Sequence, residues 1–186
     1  REKDAIIMVS LNVIFWTFVI LFALIGAMRG WARELLVTFG VILSLFVLSV
    51  LERFVPFIQN ILSSGEFETM FWVRSLLVVG MVFFGYQTPN LPRLAESGRF
   101  ARDRLQDTLL GFFLGAINGF LIFGSIWFFL NDANYPFDII TPPVAGTPGA
   151  EAAERLLPFL PPEWLTSPAI YFAVAIAFIF VLVVFL

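Results

Sequence analysis

Uncharged apolar runs recur along the chain at lengths that suit a lipid bilayer better than an aqueous core. A hydrocarbon layer of about 30 Å takes roughly 20 helical residues to cross, and five stretches meet or approach that length. The first, 5–28, contains no charge and is closed by Arg29. It is too long for the apolar core of a signal peptide and has no small-residue cleavage site before Arg29. The second, 35–51, is bounded by Arg33 and Glu34 before it and Glu52 and Arg53 after it. The third, 70–86, carries Arg74 one turn inside its start, where a long side chain can snorkel to the headgroups. The fourth, 108–130, is uncharged throughout, and the fifth, 169–186, is dominated by Ala, Val, Ile and Phe. The pattern predicts an all-α integral membrane protein, with a four-helix transmembrane core in residues 1–130 and a fifth C-terminal transmembrane helix.

The connections between these runs differ in character. Residues 91–107 carry Arg93, Arg99, Arg102 and Arg104 beside Leu94, Ala101 and Leu105 at near-helical spacing. That spacing suits either an amphipathic helix on an anionic leaflet or a solvated loop. Residues 131–168 hold eight of the eleven prolines and set Asp132, Asp138, Glu151, Glu154 and Glu163 against Arg155. Such a stretch cannot form one continuous helix. A short helix over 151–157 is compatible with it, and Trp164 suits the membrane interface before the fifth run. Orientation follows from Lys and Arg. The concentration of arginines in 91–107 places that loop in the cytoplasm, and the N-terminus and the Pro-rich acidic loop 131–168 outside.

Composition narrows the chemistry. Hydrophobic residues make up 60% and charged residues 13% of the chain, about half the charged share of a soluble domain. The absence of Cys and His excludes disulfides, thiolate nucleophiles, imidazole bases and histidine metal sites, and no metal, cofactor or catalytic residue is expected. A formal charge of −3 gives no footprint for nucleic acid. All fourteen acidic residues fall at or beyond the ends of the runs, which argues against a midplane carboxylate for proton or cation coupling. Asn12, Thr17, Ser44 and Asn118 read as interhelical hydrogen-bonding groups.

Two local patterns stand out. Gly111, Gly115 and Gly119 fall within about 80° of arc at 100° per residue, with Asn118 on the same face. Another helix can approach closely there, within the chain or in a second copy. Gly26 and Gly30 repeat the spacing in the first run and offer a mate, whereas Ser125, off the stripe, reads as tolerant of a large side chain. The second pattern is Arg29-Gly30-Trp31-Ala32-Arg33-Glu34 at a tight turn. Gly30 can take the left-handed conformation that ends a helix, Trp31 favours the interface, and Glu34 complements the next helix dipole. Arg29 and Arg33, with Arg99, Arg102 and Arg104, either fix topology or contact lipid phosphates or a partner. Asp107, just before the fourth run, reads as a helix cap.

In this order and separation, the two patterns resemble the colicin V production protein family of bacterial inner-membrane proteins. That family is similar in having four membrane helices, with Arg-Gly-x-x-Arg-Glu after the first and Asp-Arg-x-Leu-Gly-x-x-x-Gly-x-x-Arg-Gly opening the fourth. The first motif matches fully at Arg29 to Glu34. The second keeps Asp107, Gly111, Gly115 and Gly119 but has Thr108 and Asn118 in place of both arginines. The resemblance covers about residues 5–130. It implies a non-enzymatic role in export or envelope maintenance, exerted by binding membrane lipids, other integral membrane proteins or a second copy. An accessory transmembrane subunit of a large photosynthetic or respiratory assembly is the other reading of so apolar a chain.

Overall fold

The long apolar runs become helices because a chain surrounded by hydrocarbon must satisfy its backbone hydrogen bonds within each segment. The computed structural model describes residues 10–63, 66–87, 104–140, 142–144 and 146–185, and all regular structure among them is helical. Helices α1 (Leu11–Arg29), α2 (Trp31–Phe54), a short α3 (Pro56–Ser63) and α4 (Phe67–Tyr86) are followed by α5 (Arg104–Asp132). Beyond them come α6 (Pro148–Leu156), a 3₁₀ turn at Leu157–Phe159, α7 (Pro161–Trp164) and α8 (Ala169–Phe185). Helices α1, α2, α4 and α5 are each long and apolar enough to cross a membrane, and α8 qualifies when joined to the bent segment before it. This is a multi-pass membrane protein.

Most of the expected amphipathic segment 91–107, including Arg99 and Arg102, lies outside the described residues. Its last residues, Arg104 to Asp107, form the first turn of α5.

Helix α5 is the hub of the bundle. It packs most extensively on α1 and also touches α2 and α4, while α2 packs on α4 and carries α8 on its outer side. The core between them is built from Val37, Val41, Leu45 and Leu48 of α2, Phe71 and Val78 of α4, and Leu121, Ile122 and Phe129 of α5. Helix α8 meets α2 through ring contacts of Phe39 with Phe180 at 5.5 Å and Phe46 with Tyr171 at 5.9 Å.

Three expectations change. Arg74 does not snorkel. Its side chain is only 13% exposed, donating from Nε to Glu52 at 2.6 Å and from Nη1 to Asp132, so it ties α2, α4 and α5 together at one end of the bundle. Packing brings Glu52 and Asp132, from two neighbouring helix ends, within reach of the guanidinium. Ser125 is fully buried and donates to the Leu121 carbonyl at 2.7 Å, because the face of α5 that meets neighbours is wider than the glycine stripe. Thr17 and Ser44 donate to carbonyls of their own helices, Val13 and Val41, both at 2.7 Å, a local option that hydroxyls readily take. Of the four polar groups read as interhelical bonds, Asn118 makes one between helices, and the buried Asn12 side-chain oxygen has no partner among the described residues.

The Pro-rich stretch is more ordered than its composition suggests. After α5 the chain reverses through Asn134 and Tyr135, both at φ 53°, with the Tyr135 N–H donating to the Leu130 carbonyl at 2.9 Å in the manner of a Schellman cap. Helix α6 starts at Pro148, three residues before the expected helix, because Pro suits the first helical position and the Thr147 hydroxyl accepts from the Ala150 N–H at 3.3 Å.

Candidate functional site

The turn between α1 and α2 consists of one residue. Gly30, at φ 85° and ψ 158°, occupies a region of backbone space that is essentially closed to residues with a β-carbon. Its N–H donates to the Gly26 carbonyl at 3.0 Å, which finishes α1. The Asp107 carboxylate stands over it, with Oδ1 accepting the Trp31 backbone N–H at 3.2 Å. A β-carbon on Gly30 would lie 2.8 Å from Asp107 Oδ2. Asp107 is therefore a helix cap, but of α2 rather than of its own helix: it sits within the first turn of α5 and reaches across to the Trp31 amide that opens its neighbour.

Above this turn, α1 and α5 meet backbone to backbone. A β-carbon on Gly26 would stand 2.7 Å from the Cα of Gly115, and one on Gly119 would stand 2.9 Å from the Cα of Val19. One on Gly111 would meet Gly30 at 3.2 Å and collide with the Gly26 carbonyl. Real β-carbons do not tolerate such approaches, so the glycines on both helices are what permits the joint.

The same approach brings together five polar side chains. Glu34, in the first turn of α2, is fully buried. Its Oε1 accepts from Arg29 Nη1 at 2.9 Å. Its Oε2 accepts from Asn118 Nδ2 at 2.8 Å and from the Tyr86 hydroxyl at 3.4 Å. The Asn118 amide also donates to the Glu34 backbone carbonyl at 2.9 Å, and the Thr38 hydroxyl donates to Asn118 Oδ1 at 2.7 Å. Arg29 lies over the Tyr86 ring at 4.2 Å and sends Nη2 to the Tyr86 carbonyl at 3.4 Å. One network thus joins the end of α1, the start of α2, the end of α4 and the middle of α5.

The placement of the expected site residues follows directly. Gly26, Gly30, Gly111, Gly115, Gly119, Asn118 and Asp107 converge on this joint. Arg29 turns its guanidinium inward to Glu34 and Tyr86. Arg33 and Arg104 are exposed on the first turns of α2 and α5. Glu34 stands in the first turn of α2, where an acid complements the helix dipole as expected; what sequence reasoning missed is that it is also the centre of the buried network. Tyr86 and Thr38 carried no signal. The pairing of Glu34 with Asn118 spans 84 positions, and only the shared approach at the glycines foretells it.

Both motifs are thus halves of one joint, and a family model for the colicin V production protein matches residues 11–139, more than half of the chain. The chain belongs to the colicin V production protein family. The family match contains every residue of the joint and stops before α6, so α6, α7 and α8 lie beyond it. No curated protein and no solved structure matches the chain. Within the family pattern, this member places an uncharged amide, Asn118, on Glu34 where the second motif has an arginine. The buried pair of Glu34 and Arg29 is therefore balanced one charge to one.

Proposed function

We propose that the protein is a non-enzymatic component of the bacterial inner membrane that acts in export or envelope maintenance by binding partners, lipids or other membrane proteins. The observation that carries this reading is the chemical saturation of the family's own motifs. Both Glu34 oxygens, the Arg29 guanidinium, the Asn118 amide and the Asp107 carboxylate are engaged with one another or with backbone, which makes them a scaffold rather than a reaction centre. The exposed first turns around Arg33 and Arg104 are the polar surface such a scaffold presents, and we place that end in the cytoplasm on the positive-inside rule.

Photo-crosslinking from Arg33 and Arg104 in growing cells, followed by purification in mild detergent, tests the proposal. A discrete membrane-protein or lipid adduct, together with loss of envelope integrity on gene deletion, is the expected result. A protein that crosslinks to nothing and whose deletion leaves the envelope intact would refute it. A fixed stoichiometric place in a large particle would instead identify an accessory subunit.

A further inference from the structure

The segment between α5 and α8 descends into the bundle. Leu160 and Pro161 are fully buried, and their side chains fill a notch at Gly124, where a β-carbon would stand 2.9 Å from Pro161 Cδ. Ala153 and Leu160 join Phe15, Val19 and Trp127 in one apolar cluster against α1 and α5. Gly124 lies eight residues before Asp132, about 12 Å along the helix at 1.5 Å per residue. The uncharged stretch of α5 from 108 to 131 exceeds a hydrocarbon core of about 30 Å by only a few Å. The seat of Leu160 and Pro161 is therefore below the headgroup level.

A second observation gives the same depth. Helix α8 opens at Ala169. Its first turn contacts Phe46 through Tyr171, eight residues before α2 ends at Phe54. The chain thus does not climb back to the end of α2 before α8 begins, and 148–164 and 169–183 form a span broken by a 63° bend.

We propose that residues 148–164 are a membrane-embedded hook, seated on α1 and α5, whose outward apolar side chains contact lipid acyl chains. The chemistry of its surface fits that partner. Phe159, 67% exposed, and Trp164, 49% exposed, project from the turns on either side of the Leu160–Pro161 seat, where water would leave them as costly apolar area. Glu151, Glu154 and Arg155 occupy the polar face of α6, the arrangement of a helix lying at the boundary between headgroups and acyl chains. The Trp164 indole Nε1 donates to the Phe159 carbonyl at 3.0 Å, which removes its own desolvation cost. The hook's excess of acid over base predicts that it needs the apolar layer and not an anionic headgroup.

The chain contains no cysteine, so single-cysteine variants of the full protein report cleanly. Phe159→Cys and Pro158→Cys, both at exposed positions, are labelled with bimane in phosphatidylcholine–phosphatidylglycerol vesicles. Quenching is then measured with doxyl-phosphatidylcholine and with aqueous iodide. Val144→Cys in the preceding loop calibrates water, and Phe172→Cys on the exposed face of α8 calibrates lipid. The hook predicts that probes at 158 and 159 follow Phe172→Cys, strongly quenched by the doxyl lipid and weakly by iodide, with no loss when phosphatidylglycerol is omitted. Probes at both positions that follow Val144→Cys would overturn it.

Discussion

At the scale of single residues, the joint turns on Glu34. A buried carboxylate with one cationic partner is costly to leave unpaired, and breaking such a pair typically costs about 3–5 kcal/mol. Arg29→Met is therefore expected to destabilise the protein by about that amount, whereas Arg29→Met combined with Glu34→Leu recovers most of the loss because no charge is stranded. Thermal unfolding in detergent, monitored by the helical circular dichroism signal, measures both variants. Equal destabilisation by the single and double variants would show that Arg29 acts through something other than Glu34. None of this was legible in the sequence around Glu34. An acid at the start of an apolar run looks like a headgroup-level residue, and its burial depends on Asn118 and Tyr86 arriving from helices far away in the chain. Arg74 misled for the same reason, since Glu52 and Asp132 are near it only after the helices pack.

At the scale of elements, apolar run length alone placed the spans, because lipid thickness dictates helix length whatever the neighbours do. Glycine spacing also carried information, but it did not separate glycines that meet a backbone from those that do not. Gly80 on α4 has nothing within 4 Å of where its β-carbon would be, while Gly111 and Gly115 would collide with α1. Gly80→Leu is accordingly expected to be tolerated, and Gly111→Leu or Gly115→Leu to wedge α1 from α5 and leave little folded protein. Yield and monodispersity in size-exclusion chromatography compare the three, and similar behaviour of all of them would remove the backbone approach from the account. The Pro-rich stretch was the least legible element. Proline rules out a continuous helix, but it says nothing of the seat at Gly124 that orders α6 and α7.

For the whole molecule, the two ends of the bundle are each locked by charge: Arg29 with Glu34 at one, and Arg74 with Glu52 and Asp132 at the other. The orientation proposed above from the arginine distribution puts the end bearing Arg33 and Arg104 in the cytoplasm. Val144→Cys is thus expected to react with a membrane-impermeant maleimide in intact cells, and reaction only after permeabilisation would invert the topology.

The central claim, that the two family motifs form one structural joint, is tested most directly by a double-mutant cycle across them. Asn118→Leu is expected to destabilise by about 1–3 kcal/mol by stranding a buried polar partner, and Glu34→Leu by about 3–5 kcal/mol because it also leaves Arg29 unpaired. The double variant, which leaves neither Glu34 nor Asn118 without the other, is expected to fall short of their sum by at least about 1 kcal/mol. Effects that add to within about 0.5 kcal/mol would show that the motifs act independently and would contradict the account.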